Sequence, residues 1–196
     1  MRPVLILLTE GFADWETGLI AANLPQVDGL KVRNASLDGT AVTSMGGLHV
    51  SDLAPFDPSG DDVVVLCGGA IWESPDSDAL IDRLTPMMRA ARGAGASLAG
   101  ICAGATALAR MGVLDGIRHT GNGFDSMTQW AGTDYPGHTL YCDQPHAVRD
   151  QGIITASGVA PVSFAAAVMV EAGAGAEVGA MAKQYLGAEF QTTWDI

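Results

Sequence analysis

An α/β fold of three layers around a mainly parallel sheet is what this 196-residue sequence predicts, on three observations. Residues 4–8 are a continuous aliphatic run without alternation, the pattern of a central parallel strand covered on both faces, and residues 62–67 read as another central strand. Segments with a helical period separate the apolar runs, so strand and helix alternate along the chain. Small residues and glycines follow the runs, at Gly68-Gly69 and around Gly100, where a sheet must turn sharply into the next element. With no internal repeat, linker or low-complexity break, residues 1–196 read as one domain.

Each element has a local reason. Residues 4–8 form the first buried strand; the run is too short for a signal or a membrane span and meets Glu10 almost at once. Thr9-Glu10-Gly11-Phe12-Ala13 is a loop, and Asp14-Trp15-Glu16-Thr17 opens a helix that Pro25 ends near residue 24. Glu16 suits the positive end of a helix dipole, but it also sits at the carboxyl end of a strand, where open α/β sheets bind ligands. Residues 30–35 alternate, as a strand nearer an edge does. Residues 41–50 are a short hairpin or a loop broken by Gly46-Gly47, and residues 55–60 are a turn cluster. Residues 62–67 are another central strand, and Gly68-Gly69 lets backbone approach a ligand closely. Residues 78–92 carry a helical period interrupted by Pro86, so either one helix kinks there or Thr85-Pro86 starts a second.

The stretch of most chemical interest follows at Gly100-Ile101-Cys102-Ala103-Gly104. It is the cysteine form of the nucleophile elbow, a tight strand-to-helix turn that pushes a side chain out of the sheet. A helix N-terminus aimed at the sulfur would favour thiolate. From these residues alone, Cys102 is either a reactive thiol or a small buried hydrophobe. The helix runs to Met111 and stops at Gly112. Residues 119–123 are a polar loop at the sheet edge, and residues 124–130 are a helix. Residues 138–148 and 152–156 read as two strands joined at Asp150-Gln151-Gly152. Helices follow over 162–172 and 177–186, then a tail over 190–196 with Trp194.

Composition narrows the function. A net charge of -12 argues against nucleic acid or an anionic membrane as a partner, since phosphate recognition needs a basic footprint. Three widely spaced cysteines make no disulfide framework and fit a reducing cytosol. The four histidines form no metal-ligand spacing, so no metal or cofactor is expected. Cys142 falls in an expected strand and reads as core.

Taken together, Val63-Val64-Val65-Leu66-Cys67-Gly68-Gly69, the elbow through Leu108, Gly11-Phe12-Ala13-Asp14-Trp15-Glu16-Thr17, Gly112-Val113-Leu114-Asp115-Gly116 and Asp150-Gln151-Gly152-Ile153-Ile154-Thr155-Ala156-Ser157-Gly158 resemble the PfpI/ThiJ superfamily over nearly the whole chain. The resemblance implies a flavodoxin-like sandwich, usually assembled as a homodimer or larger, related to class I glutamine amidotransferase domains. It makes Cys102 the nucleophile, Glu16 the carboxyl group bonded to its sulfur, and the Gly69 and Ala103 N–H groups an oxyanion hole. On that reading Glu16 has a raised pKa and Cys102 a lowered one. Two departures matter. Many members carry His directly after the nucleophile, where this chain has Ala103. Others carry His in a Thr-Thr-His run, where this chain has Asn122, with His119 the nearest substitute. The amidotransferase His-x-Glu motif is absent, which argues against glutaminase activity. Cys67 stands where many members have Pro and reads as a buried residue beneath the pocket; Trp72 either walls the pocket or packs.

The expectation is therefore a small cytosolic cysteine-dependent enzyme, a hydrolase or lyase. It would act on a small electrophilic carbonyl or amide-like substrate through Cys102. The alternatives are a redox or stress-response protein with an oxidisable Cys102, or a binding module in which the elbow is a relic.

Overall fold

A computed structural model describes residues 1–177, 180 and 184 of the chain. The strands are β1 (Val4–Leu7), β2 (Val32–Ser36), β3 (Val42–Thr43), β4 (His49–Val50), β5 (Ala54–Pro55), β6 (Val63–Leu66), β7 (Ser97–Ile101), β8 (Val148–Asp150) and β9 (Ile153–Ala156). The helices are α1 (Asp14–Asn23), α2 (Asp78–Gly93), α3 (Ala103–Arg110), α4 (Phe124–Ala131) and α5 (Pro161–Glu171). Seven strands form one sheet in the order β5-β2-β1-β6-β7-β9-β8, parallel throughout except for the β8–β9 pair. The inner order β2-β1-β6-β7-β9 is the doubly wound flavodoxin-like arrangement. The sheet is thus α/β and mainly parallel, as expected.

The unbroken aliphatic runs are explained by burial on both sides. Val4 and Ile6 join Val63, Val65, Ala99, Ile154 and the α1 and α5 residues Ile20, Phe164 and Val168 in one apolar layer. Their neighbours Leu5 and Leu7 point the other way, into a layer with Val64, Leu66, Leu98 and the α2 and α3 residues Leu84, Met88 and Leu108. Period-two alternation of side chains sends each run into two cores at once.

The structure settles or changes several expectations. Pro86 lies inside a single helix α2. Residues 41–50 form the antiparallel β3–β4 hairpin. Pro55, expected in a turn, closes the edge strand β5, where a missing N–H costs no ladder bond. The strand expected over 138–148 is mostly absent: His138–Leu140 is a 3-10 turn, and β8 begins only at Val148. Tyr141 forms an isolated parallel bridge to His119 and packs its ring edge-on against His119 and Phe124, and Pro145 removes a donor just ahead of β8. Cys142, expected in the core, is half-buried outside any strand. Most of the helix expected over 177–186, and all of the tail over 190–196, fall outside the described residues.

No helix among the described residues is long and apolar enough to cross a membrane.

Candidate active site

The carboxyl ends of β1, β6, β7 and β9 meet at Cys102. Its backbone sits at φ 56°, ψ -131°, a conformation that costs a non-glycine residue on the order of 1–3 kcal/mol. Main-chain bonds hold it there: the Cys102 N–H donates to the Ala156 carbonyl at 2.9 Å, and the Cys102 carbonyl accepts from the Ala105 N–H at 3.0 Å. The flanking glycines are required by space. A Cβ on Gly100 would lie 2.7 Å from the Gly104 carbonyl oxygen, and one on Gly104 would collide with the Leu66 carbonyl.

Glu16 reaches the same place from the first turn of α1 and is fully buried. Its Oε2 accepts a hydrogen bond from the Gly68 N–H. Its Oε1 is buried with no hydrogen-bond partner among the described residues. Two glycines make the room in which carboxyl and thiol meet. A Cβ on Gly68 would come within 2.8 Å of both Glu16 oxygens and of Cys102 Cβ. A Cβ on Gly158 would come within 2.9 Å of Cys102 Sγ and 3.1 Å of Glu16 Oε1.

Burial dominates the electrostatics. It pushes the Glu16 carboxyl up to about 7, against the opposing Gly68 N–H bond and the neighbouring Cys102 thiol. It also pushes the Cys102 thiol up to about 11; the Asn122 bond lowers it, the Glu16 charge raises it and the Ala103 N–H lowers it. The raised carboxyl was expected. The lowered thiol was not found: the α3 terminus and Asn122 favour thiolate, but removal from water and a neighbouring carboxylate outweigh them. Cys67 lies fully buried beneath, its thiol raised still further, which is the inert residue expected there.

Asn122 Nδ2 lies 3.0 Å from Cys102 Sγ. The amide is anchored on its other side by the Gly158 N–H at 2.9 Å and the Ser157 hydroxyl at 3.3 Å. The Ala103 N–H bonds the Cys102 thiol, and Gly69, the other expected oxyanion-hole residue, follows Gly68 beyond the end of β6. No acceptor among the described residues takes the Gly69 N–H, and the Ala103 N–H serves Cys102 itself.

His119 does not join the site through either ring nitrogen. It is fully buried, with Nδ1 on the Ile117 carbonyl at 2.8 Å and Nε2 on the Tyr135 hydroxyl at 2.6 Å. Burial lowers its pKa, so the ring is held neutral. Trp72 is likewise fully buried; its indole N–H donates to the Cys67 carbonyl at 2.8 Å, so it packs and does not wall a pocket. Sequence reasoning assigned no role to Ser157 and Gly158. Their signal was position, at the carboxyl end of the strand beside β7.

Comparison with known proteins agrees with this fold. The DJ-1/PfpI family model matches residues 2–171. The chain belongs to the DJ-1/PfpI family. A DJ-1 superfamily protein from Agrobacterium tumefaciens of known structure is 38% identical, with a TM-score of 0.85, covering 97% of this chain and 100% of its own. Two proteins of Bacillus subtilis (strain 168) are also similar, both named uncharacterized proteases. YdeA is 30% identical over 168 residues, covering 84% of this chain and 80% of its own. YoaZ is 29% identical over 178 residues, covering 86% and 82%.

Proposed function

We propose that the chain is a cysteine-dependent enzyme in which Cys102 adds to the electrophilic carbon of a small carbonyl substrate, with Glu16 as its proton partner. The observation that supports this best is the convergence of a buried carboxyl, with a free Oε1 and a pKa near 7, on a thiol held in a strained elbow. A carboxylate with that proton affinity is matched to base catalysis near neutral pH. The Cys102 S–H proton passes to Glu16 as the C–S bond forms. The carbonyl π pair moves to oxygen, between the Gly69 and Ala103 N–H groups, and that oxygen takes the proton back from Glu16. No external oxidant or reductant enters the balance.

The neutral His119, engaged at both ring nitrogens, is not available as a base to activate water, which favours carbonyls over amides as substrates. The protease names of the Bacillus relatives make amide hydrolysis the arm to run beside it. The raised thiol pKa weighs against a dedicated redox sensor, which needs ready thiolate. The test is turnover of small reactive carbonyls, isonitriles and simple amides by the native chain and by Cys102→Ser. A loss of at least about a thousandfold on the accepted class is expected; full activity in Cys102→Ser overturns the reading.

A further inference from the structure

We propose that Asn122 is the fixed hydrogen-bond donor to the Cys102 sulfur, its amide locked in one orientation by Ser157 and Gly158. The inference rests on reading Cys102 as the working thiol. An amide has two chemically different ends, and which end faces a partner follows from the partners' chemistry. The Gly158 main-chain N–H can only donate, and it lies 2.9 Å from Asn122 Oδ1. The Ser157 hydroxyl adds a second bond to the same oxygen at 3.3 Å. Nδ2 therefore faces outward from this anchor, and it meets Sγ at 3.0 Å. Gly158 is itself held: its carbonyl accepts the Trp15 indole N–H at 3.1 Å. The frame that aims the Asn122 amide is thus tied to α1, the helix that carries Glu16.

This arrangement separates two tasks. An amide N–H stabilises negative charge on sulfur but neither gives up nor takes on a proton near neutral pH. Asn122 therefore supports the thiolate without competing with Glu16 for the proton. The titratable groups around the sulfur are Glu16 from α1 and Cys67 from the end of β6. No cationic side chain among the described residues hydrogen-bonds Sγ. The donor end is accordingly the feature that offsets burial of the sulfur from the open side. Because Asn122 is exposed, water shares the task when the side chain is lost, and the expected effect is moderate.

The test is the pH dependence of Cys102 alkylation by iodoacetamide in the full-length chain, read by peptide mass spectrometry. Asn122→Asp keeps an oxygen for Gly158 and Ser157 in the same shape but turns an oxygen toward the sulfur. It is expected to alkylate about tenfold more slowly at pH 7, with the profile moved to higher pH by about one unit. Asn122→Ala is expected to shift the profile in the same direction by less, and it serves if the Asp variant does not fold. A profile that superimposes on the native one, in whichever variant keeps native circular dichroism, overturns the inference. Alkylation needs no substrate, so the two readings fail separately. Retained turnover in Cys102→Ser sinks the enzyme while leaving a shifted profile standing. An unmoved profile beside a dead Cys102→Ser sinks only the role of Asn122.

Discussion

The two ends of the central sheet handle buried charge in opposite ways. At the amino end, Arg2 Nη1 bonds Ser97 Oγ at 2.6 Å, and Ser97 bonds Glu171 Oε1 at 2.7 Å; Arg149 pairs with the other Glu171 oxygen. Asp62 is fully buried there, yet it takes Arg33 at 2.8 Å and the Ser59 N–H and hydroxyl at 2.8 and 2.9 Å. Each of these carboxylates has a cation and a neutral donor. At the carboxyl end, Glu16 has among the described residues a single main-chain donor, no cation, and an oxygen without a partner, beside a cysteine in a strained backbone. A paired carboxylate lends stability. An unpaired one costs stability and gains a proton affinity suited to chemistry.

The pH signatures should differ accordingly. Burial pushes Glu171 upward, but Ser97, Arg149 and Arg2 bring it net below the ordinary carboxyl range. Its contribution is present above that range and lost as pH falls through the lowered value. Glu16 is raised to about 7, so its contribution is full below about pH 4.5 and lost as pH rises through about 7.

Breaking each end tests the contrast. Glu16→Gln should cost the largest amount of activity, about a hundredfold or more in kcat/KM. It should also raise unfolding free energy at pH 8 by up to about 3 kcal/mol, because the buried charge is gone. Denaturant titrations at pH 5 and 8 check this; the gain should shrink to under about 1 kcal/mol at pH 5. Gly158→Ala sharpens the geometry, since its methyl would stand 2.9 Å from Sγ. Turnover and Cys102 alkylation should both fall about tenfold with circular dichroism unchanged. Glu171→Ala should leave turnover and alkylation unaltered while lowering stability by about 1–2 kcal/mol, through the stranded Arg2, Ser97 and Arg149 groups. A change in Cys102 reactivity there would show that the ends are coupled.

Much of this was legible along the chain because it depends on neighbours in sequence. The runs at residues 4–8 and 62–67 declared strands buried on both faces, since both faces must be apolar for that to hold. The small residues about Cys102 declared an elbow, since only glycine clears the Leu66 and Gly104 carbonyls. Glu16 and Gly68-Gly69 were marked by their place after strands. Other features belong to closure of the fold. The fate of His119 depended on Tyr135, and that of Trp72 on the Cys67 carbonyl under which it is buried. The raised proton affinity of Cys102 does not follow from its helix terminus and its carboxyl neighbour, because desolvation is a property of everything packed around a group. Local sequence was enough for the sheet, the elbow and the place of Cys102 on it. Tertiary structure decided which groups reach that thiol, since Asn122, Gly158 and Glu16 stand 20 to 86 residues from it and are joined only by long-range packing.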